Sequence, residues 1–67
     1  MIELTMLGKL GKIIYLNPHQ IEYIEAGANT TIVMLSGKRL LVLEDYPTVF
    51  KRIVDYRKQI GAFKNEE

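Results

Sequence analysis

The sequence predicts an α+β fold, in which a small antiparallel β-sheet or partly closed barrel of about five strands is followed by one C-terminal amphipathic helix. Two observations lead to this prediction. Up to residue 44, short runs of β-branched and aromatic residues are separated by turns that contain glycine or proline. After residue 45, apolar residues recur at spacings of three and four, which is the period of a helix with one buried face.

Five strands are predicted, over residues 2–6, 12–16, 20–26, 30–35 and 39–44. The Asn17-Pro18 pair ends the second strand, because proline donates no ladder hydrogen bond. The other turns contain glycine. We expect a positive φ at Gly37 in the Ser36-Gly37 turn, and the segment Gly27-Ala28-Asn29 can supply one in the preceding hairpin.

The helix is predicted over about residues 46–60. Asp45 can cap its first turn, and Pro47 falls within that turn, where a missing N–H costs nothing. Gly61 is expected just beyond the helix end, and residues 62–67 are expected to form a frayed polar tail. The side chains expected to hold the helix to the sheet are Phe50, Ile53 and Val54.

The composition limits the chain to one domain, predicted over residues 1–61. The 67 residues carry 9 Lys and Arg against 8 Asp and Glu, a net charge of +1, and 48% of them are apolar, as in globular proteins. The sequence contains no cysteine, which excludes disulfides and cysteine-ligated zinc. No apolar run approaches the roughly 20 residues of a transmembrane helix, and no signal-peptide pattern is present. We therefore expect a cytoplasmic protein.

Residues typical of catalysis are not grouped in the sequence. Glu22 and Glu25 are three apart on a strand, so they point to opposite faces. Capping explains Glu44 better than acid–base chemistry, and a solvated or locally bonded loop position explains the single histidine, His19. We expect a protein that is not an enzyme, with no catalytic, cofactor-binding or metal-binding residue.

The strands predict a second apolar surface. Over residues 12–16, 30–35 and 39–44, apolar side chains occupy both faces, whereas a sheet with one wet face alternates apolar and polar residues. One helix covers only one face, so the other either closes inside a barrel or meets another subunit or partner. We expect a homo-oligomer, because small domains without disulfides often need assembly. The candidate interface residues are Val33, Leu35, Leu41 and Leu43.

Basic residues on the helix allow an alternative, which is nucleic-acid binding. The candidate contacts are Lys51, Arg52, Arg57 and Lys58. The simpler interpretation is a solvated helix face on which Lys51 pairs with Asp55 at i,i+4. The net charge of +1 favours this simpler interpretation, because nucleic-acid-binding domains are usually more basic.

Three segments carry a family resemblance. They read Ile-Glu-Leu-Thr at 2–5, Tyr-Leu-Asn-Pro at 15–18 with Ile-Glu-Tyr-Ile-Glu at 21–25, and Ser-Gly-Lys-Arg-Leu-Leu-Val at 36–42. At these spacings the chain resembles the FlbD/SwrD family of small bacterial proteins associated with flagella and swarming motility. The resemblance implies a non-enzymatic accessory or adaptor protein that supports motor function or swarming through protein contacts. It further implies a basal-body or motor protein as partner, at the cytoplasmic face of the basal body.

Residues 21–27, with the hairpin and helix that follow, are also similar to the core of the LytTR DNA-binding domain. That domain continues after the helix with a further strand-bearing segment, which has no counterpart in this sequence. The likeness covers only part of the chain. It leaves a small LytTR-like nucleic-acid-binding module as the alternative to the flagellar adaptor.

Overall fold

Five antiparallel strands precede one helix in the computed structural model, which describes residues 1–61. The elements are β1 (Ile2–Thr5), β2 (Ile13–Leu16), β3 (Ile21–Ala26), β4 (Thr30–Met34), β5 (Arg39–Val42) and α1 (Tyr46–Gly61). A short 3-10 helix, Pro18–Gln20, lies between β2 and β3. The predicted α+β class, with its five strands and closing helix, is confirmed.

The strands form two antiparallel sheets. β1 pairs with β2, and β3, β4 and β5 form a three-stranded sheet in that order. The sheets meet where Met6 bridges to Val42 and the Leu43 N–H donates to the Thr5 carbonyl at 2.8 Å. β2 and β3 remain edge strands, so the sheets do not close into a barrel. Of the two predicted arrangements, the open sheet is correct and the partly closed barrel is wrong.

The core lies between the two sheets and the helix. Its buried members form one cluster, which consists of Ile2, Leu4, Leu16, Ile32, Val42 and Val49. The helix packs mainly against β1. β3 contributes only the partly buried Ile21 and Ile24. The core is therefore centred on β1, the middle of the three-stranded sheet and one line of helix residues.

The residues of α1 that contact the core differ in part from the predicted ones. Val49 is fully buried, and Ile53 and Tyr56 pack against the cluster at spacings of four and three along the helix. Ile53 is therefore confirmed as a contact between the helix and the core. Val54, another predicted anchor, is only half-buried.

Phe50 does not hold the helix to the sheet, contrary to the prediction. Its side chain is 52% exposed and lies against Tyr46, with ring centroids 5.8 Å apart. Successive helix residues are separated by about 100° around the axis. Since α1 meets the sheets along a narrow line, burying Val49 turns Phe50 toward the side.

The helix begins as predicted. The Asp45 carboxylate accepts a hydrogen bond from the Thr48 N–H at 3.1 Å, and the Asp45 carbonyl accepts from the Val49 N–H at 3.1 Å. The hydrogen bonds from Thr48 lower the pKa of Asp45. At the other end α1 includes Gly61, which the sequence had placed just outside. The predicted tail, residues 62–67, lies outside the described residues.

The two hairpin turns of the three-stranded sheet differ in geometry. Gly37 has a φ of 94°, as predicted, and lies in the left-handed region that favours glycine. Gly27 has no such conformation, so the expectation of a positive φ in that hairpin is wrong. The loop after β3 is closed instead by the Gly27 N–H, which donates to the Asn29 carbonyl at 3.1 Å.

The Asn17-Pro18 break contains structure that the sequence did not predict. The Asn17 side chain accepts a hydrogen bond from the His19 N–H at 3.0 Å and caps the 3-10 helix. The His19 ring meets Tyr56 of α1 edge-on, with centroids 5.7 Å apart. His19 is thus a locally bonded loop residue, as expected.

Candidate functional site

The three-stranded sheet turns one face away from the core, and we call this surface the outer face. The strand register forms two rows across it, Tyr23–Val33–Arg39 and Glu25–Thr31–Leu41. Ile32 and Val42, which alternate with these residues along β4 and β5, are buried in the core. Because successive strand residues point to opposite faces, the two rows lie on the side away from the core.

Three of the four residues predicted for an interface are exposed. Leu41 lies on the outer face within β5, and Leu35 and Leu43 continue the same alternation just past the ends of β4 and β5. The exposed fractions of Leu35, Leu41 and Leu43 are 59%, 40% and 58%. The chain therefore keeps three leucines in solvent on one side of an open sheet.

Val33, the fourth residue, lies on the same face but is only 4% exposed. The Arg39 guanidinium contacts the Glu25 carboxylate at 2.6 Å. Arg39 is on β5 and Glu25 is on β3, so this ion pair spans the intervening strand β4. Val33 therefore belongs to the outer face but is shielded from solvent, and its register partner Arg39 is one member of the ion pair.

The ion pair was missed by sequence reasoning. Its two residues are distant in the chain and meet only because the register of both hairpins places them in neighbouring rows, diagonally across β4. The Coulombic attraction of Glu25, followed by a hydrogen bond with Tyr23, raises the pKa of Arg39. The available signal was an acidic residue in the third predicted strand and a basic one in the fifth.

A groove of about 310 Å³ continues the apolar surface past Leu43. It lies between the β3–β4 turn and the first turn of α1. Apart from Leu43, its apolar lining includes Leu7, Ala28, Tyr46 and Pro47. Asn29, Thr30 and Asp45 add polar groups to the same lining, so the groove is only partly apolar.

The basic residues of the helix are not gathered into one free face. Lys51 pairs with Asp55 at 3.0 Å, as predicted. Arg52 donates to the Glu3 carbonyl at 2.6 Å and to the Glu44 carboxylate at 3.1 Å, so it joins α1 to β1. The two remaining candidates for nucleic-acid contact, Arg57 and Lys58, are exposed.

Glu44 has a structural position in this arrangement. Its side chain is 11% exposed, and burial alone would raise its pKa. Hydrogen bonds from the Thr5 N–H and hydroxyl and from Arg52 outweigh burial and lower the pKa. The helix cap comes from Asp45 alone, so the predicted capping role of Glu44 is replaced by a link to β1.

The part of the chain that the structure describes holds no group of three or more His, Cys, Asp or Glu side chains that could bind a metal ion. Within residues 1–61, no helix combines the length and the apolar character needed to cross a membrane.

The comparisons with known proteins give one match. Neither a curated protein nor a solved structure matches the chain significantly. Residues 1–61 match the FlbD family, described as flagellar and swarming motility proteins. Since the match covers all of the described fold, the chain belongs to the FlbD family of flagellar and swarming motility proteins.

Proposed function

We propose that this protein is a non-enzymatic adaptor that supports flagellar motor function or swarming by docking a protein partner on its outer face. The observation that carries the proposal is the set of exposed leucines on one side of an open sheet: Leu35, Leu41 and Leu43. The family supplies the process, which is flagellar and swarming motility. The partner we propose is a basal-body or motor protein, bound at the cytoplasmic face of the flagellar basal body.

The physical support is the cost of leaving such a surface in water. Burying apolar area contributes about 25 cal/mol per Å², so covering the exposed leucines with a partner favours association. A single exposed leucine would be unremarkable, but Leu41 and Leu43 are neighbours on the same side of β5, and adjacent exposed apolar residues commonly mark interaction sites. The groove next to Leu43 offers a place where a partner's apolar side chain is enclosed on several sides.

The outer face also carries charges that can orient a bound partner. The Glu25–Arg39 ion pair lies beside Leu41 in the strand register and exposes both charges. Polar groups at an apolar surface act mainly on specificity, because they disfavour partners that leave them unpaired. A partner with apolar side chains and complementary charges fits this face best.

The test is a motility assay with matched leucine substitutions. Leu41→Lys puts a charge in the middle of the outer face, whereas Leu10→Lys puts the same charge in a fully exposed turn remote from it in the sequence. We expect Leu41→Lys to reduce swimming and swarming while Leu10→Lys leaves both unchanged, at equal protein level and equal circular dichroism. Normal motility with Leu41→Lys would contradict docking at the outer face.

A second experiment identifies the partner. The wild-type chain and Leu41→Lys are used as baits in lysates of flagellated cells, with and without membranes. A motor or basal-body protein retained by the wild type and lost with Leu41→Lys supports the proposal. A deletion strain with unaltered swimming and swarming would overturn the motility role itself.

A further inference from the structure

The outer edge of β2 carries backbone groups that point away from the protein. The Thr5 N–H donates to Glu44 at 2.9 Å and the Glu3 carbonyl accepts from Arg52 at 2.6 Å, so both β1 residues direct these groups away from β2. Their register partners on β2 are Ile13 and Tyr15. Antiparallel pairs alternate between bonded and non-bonded, so Ile13 and Tyr15 direct their N–H and C=O groups toward the open edge.

β2 and β3, the outermost strands of the described fold, differ in how they are protected. β3 carries Glu22 and Glu25 and has an irregular register between Ile21 and Tyr23. Charges and bulges of this kind prevent an edge from pairing with another chain. β2 reads Ile-Ile-Tyr-Leu, with no charge, no proline and a regular register. β2 is therefore an unprotected edge strand, whereas β3 is a protected one, and this difference needs an explanation.

The exposed side chains of β2 are apolar as well. Ile13 is 48% exposed and Tyr15 is 67% exposed, and both lie on the face of β2 opposite to the buried Leu16. Among residues 1–61, the strand thus presents unpaired backbone groups at its edge and two large apolar side chains on one face.

We propose that β2 pairs antiparallel with β2 of a second copy of this chain, about a two-fold axis at Ile14. This register sets Ile13 opposite Tyr15 of the second copy, and the contact occurs twice. Each pair exchanges two backbone hydrogen bonds through the outward groups. Aromatic and β-branched side chains directly opposite each other stabilise antiparallel pairs. The result joins the two β1–β2 sheets into one sheet of four strands.

We assign the pairing partner as a second copy of this chain because β2 is complementary to itself. In the proposed register Lys12 lies opposite Leu16 of the second copy, so the two Lys12 residues are about 13 Å apart along the strand. No like charges face each other. Pairing of β2 with β3 of another copy would instead meet Glu22, Glu25 and the irregular register. A two-fold pair also closes on itself and leaves no free β2 edge.

The proposed β2–β2 interface involves only a short strand from each copy, so we expect the dimer to be weak. A standard interface buries about 800 Å² per partner, which exceeds what a four-residue strand can supply. We therefore expect a weak dimer, with a dissociation constant on the order of 0.1 mM. It does not depend on the outer face, which stays open in the dimer.

The test combines sedimentation equilibrium with amide hydrogen exchange over about 10 µM to about 1 mM protein. In the wild type, the amides of Ile13 and Tyr15 gain protection with concentration, whereas the inward amides of Ile14 and Leu16 are already protected. Tyr15→Lys weakens the dimer about tenfold or more. The matched control, Tyr23→Lys, places the same charge on an exposed tyrosine of the other edge strand and leaves the dimer intact.

The register has its own test. The double variant Ile13→Glu with Tyr15→Lys places opposite charges across the two-fold axis and restores the dimer that Tyr15→Lys alone loses. A chain that stays monomeric at the highest concentration, with unchanged exchange at Ile13 and Tyr15, overturns the proposal. A dimer broken by Tyr23→Lys but not by Tyr15→Lys also overturns it and assigns self-association to the outer face. Protection of these amides only when a different flagellar protein is added identifies a heterologous strand and rejects the second copy.

Discussion

The Glu44 carboxylate accepts the backbone N–H of Thr5 on both oxygens, at 2.9 and 3.1 Å, and the Thr5 hydroxyl at 3.0 Å. Glu44 precedes the helix and Thr5 ends β1, so these bonds connect the segment before α1 with the first strand. They satisfy a Thr5 N–H that points away from β2. The same carboxylate accepts from Arg52, which brings the first half of the helix into the connection.

Glu44 is expected to make stability depend on pH. Its pKa is lowered in the folded protein, so its contribution is fully present above the ordinary value of about 4.5 and is lost as pH falls through the lowered folded value. Glu44→Gln should cost about 1–3 kcal/mol at pH 7, with a smaller loss at pH values below that transition. Urea unfolding at several pH values measures both. Asp55→Asn, in an exposed ion pair, is the control and should change stability little.

The helix phase is tested by two neighbouring residues. Val49→Ala should destabilise the protein by about 2 kcal/mol, because Val49 is fully buried and its loss leaves a cavity. Phe50→Ala removes a larger but exposed side chain and should cost less than about 1 kcal/mol. Thermal unfolding of both variants measures the two losses of stability and shows which is larger. A larger loss for Phe50→Ala would place that side chain in the core and contradict the helix orientation.

Gly37 should tolerate a side chain poorly. Its φ of 94° is strained for any residue with a Cβ, although no atom lies within 4 Å of the position that a Cβ would take. Gly37→Ala should therefore cost about 1–2 kcal/mol through the backbone alone. Gly27→Ala, where φ is not in that region and space is also open, should be close to neutral. Similar unfolding midpoints for the two variants would argue against the turn geometry.

Arg52 is expected to act in stability and not in nucleic-acid binding. Arg52→Gln removes the hydrogen bonds to the Glu3 carbonyl and Glu44 and should cost about 1 kcal/mol. Arg57→Gln, at an exposed position on the same helix, should leave stability unchanged. Neither the wild type nor Arg57→Gln should shift duplex DNA in an electrophoretic assay at low salt. A shift that Arg57→Gln abolishes and that weakens steeply with added salt would revive the LytTR-like alternative.

Local physics made most of the fold predictable. The change from short β-branched runs to a spacing of three and four at residue 45 predicted where the sheets end and the helix begins. Asp45 and Gly37 could be assigned from residue type alone, since a carboxylate caps a helix and glycine occupies the left-handed region. Apolar residues on both faces of β4 and β5 predicted a second apolar surface, and Leu35, Leu41 and Leu43 are exposed.

The features that could be predicted are therefore local: the order and type of the elements, their caps and turns, and the excess of apolar residues. The remaining features depend on distances between residues far apart in the chain, so they become visible only in the folded protein. Strand pairing placed Glu25 against Arg39 across β4, and the line of contact with β1 buried Val49 while leaving Phe50 in solvent. The meeting of β1 with the segment after β5 took Arg52 out of the basic face and bonded it to Glu44. The periodicity of one strand or helix does not predict such contacts, because they form only when two elements that are distant in the chain pack against each other.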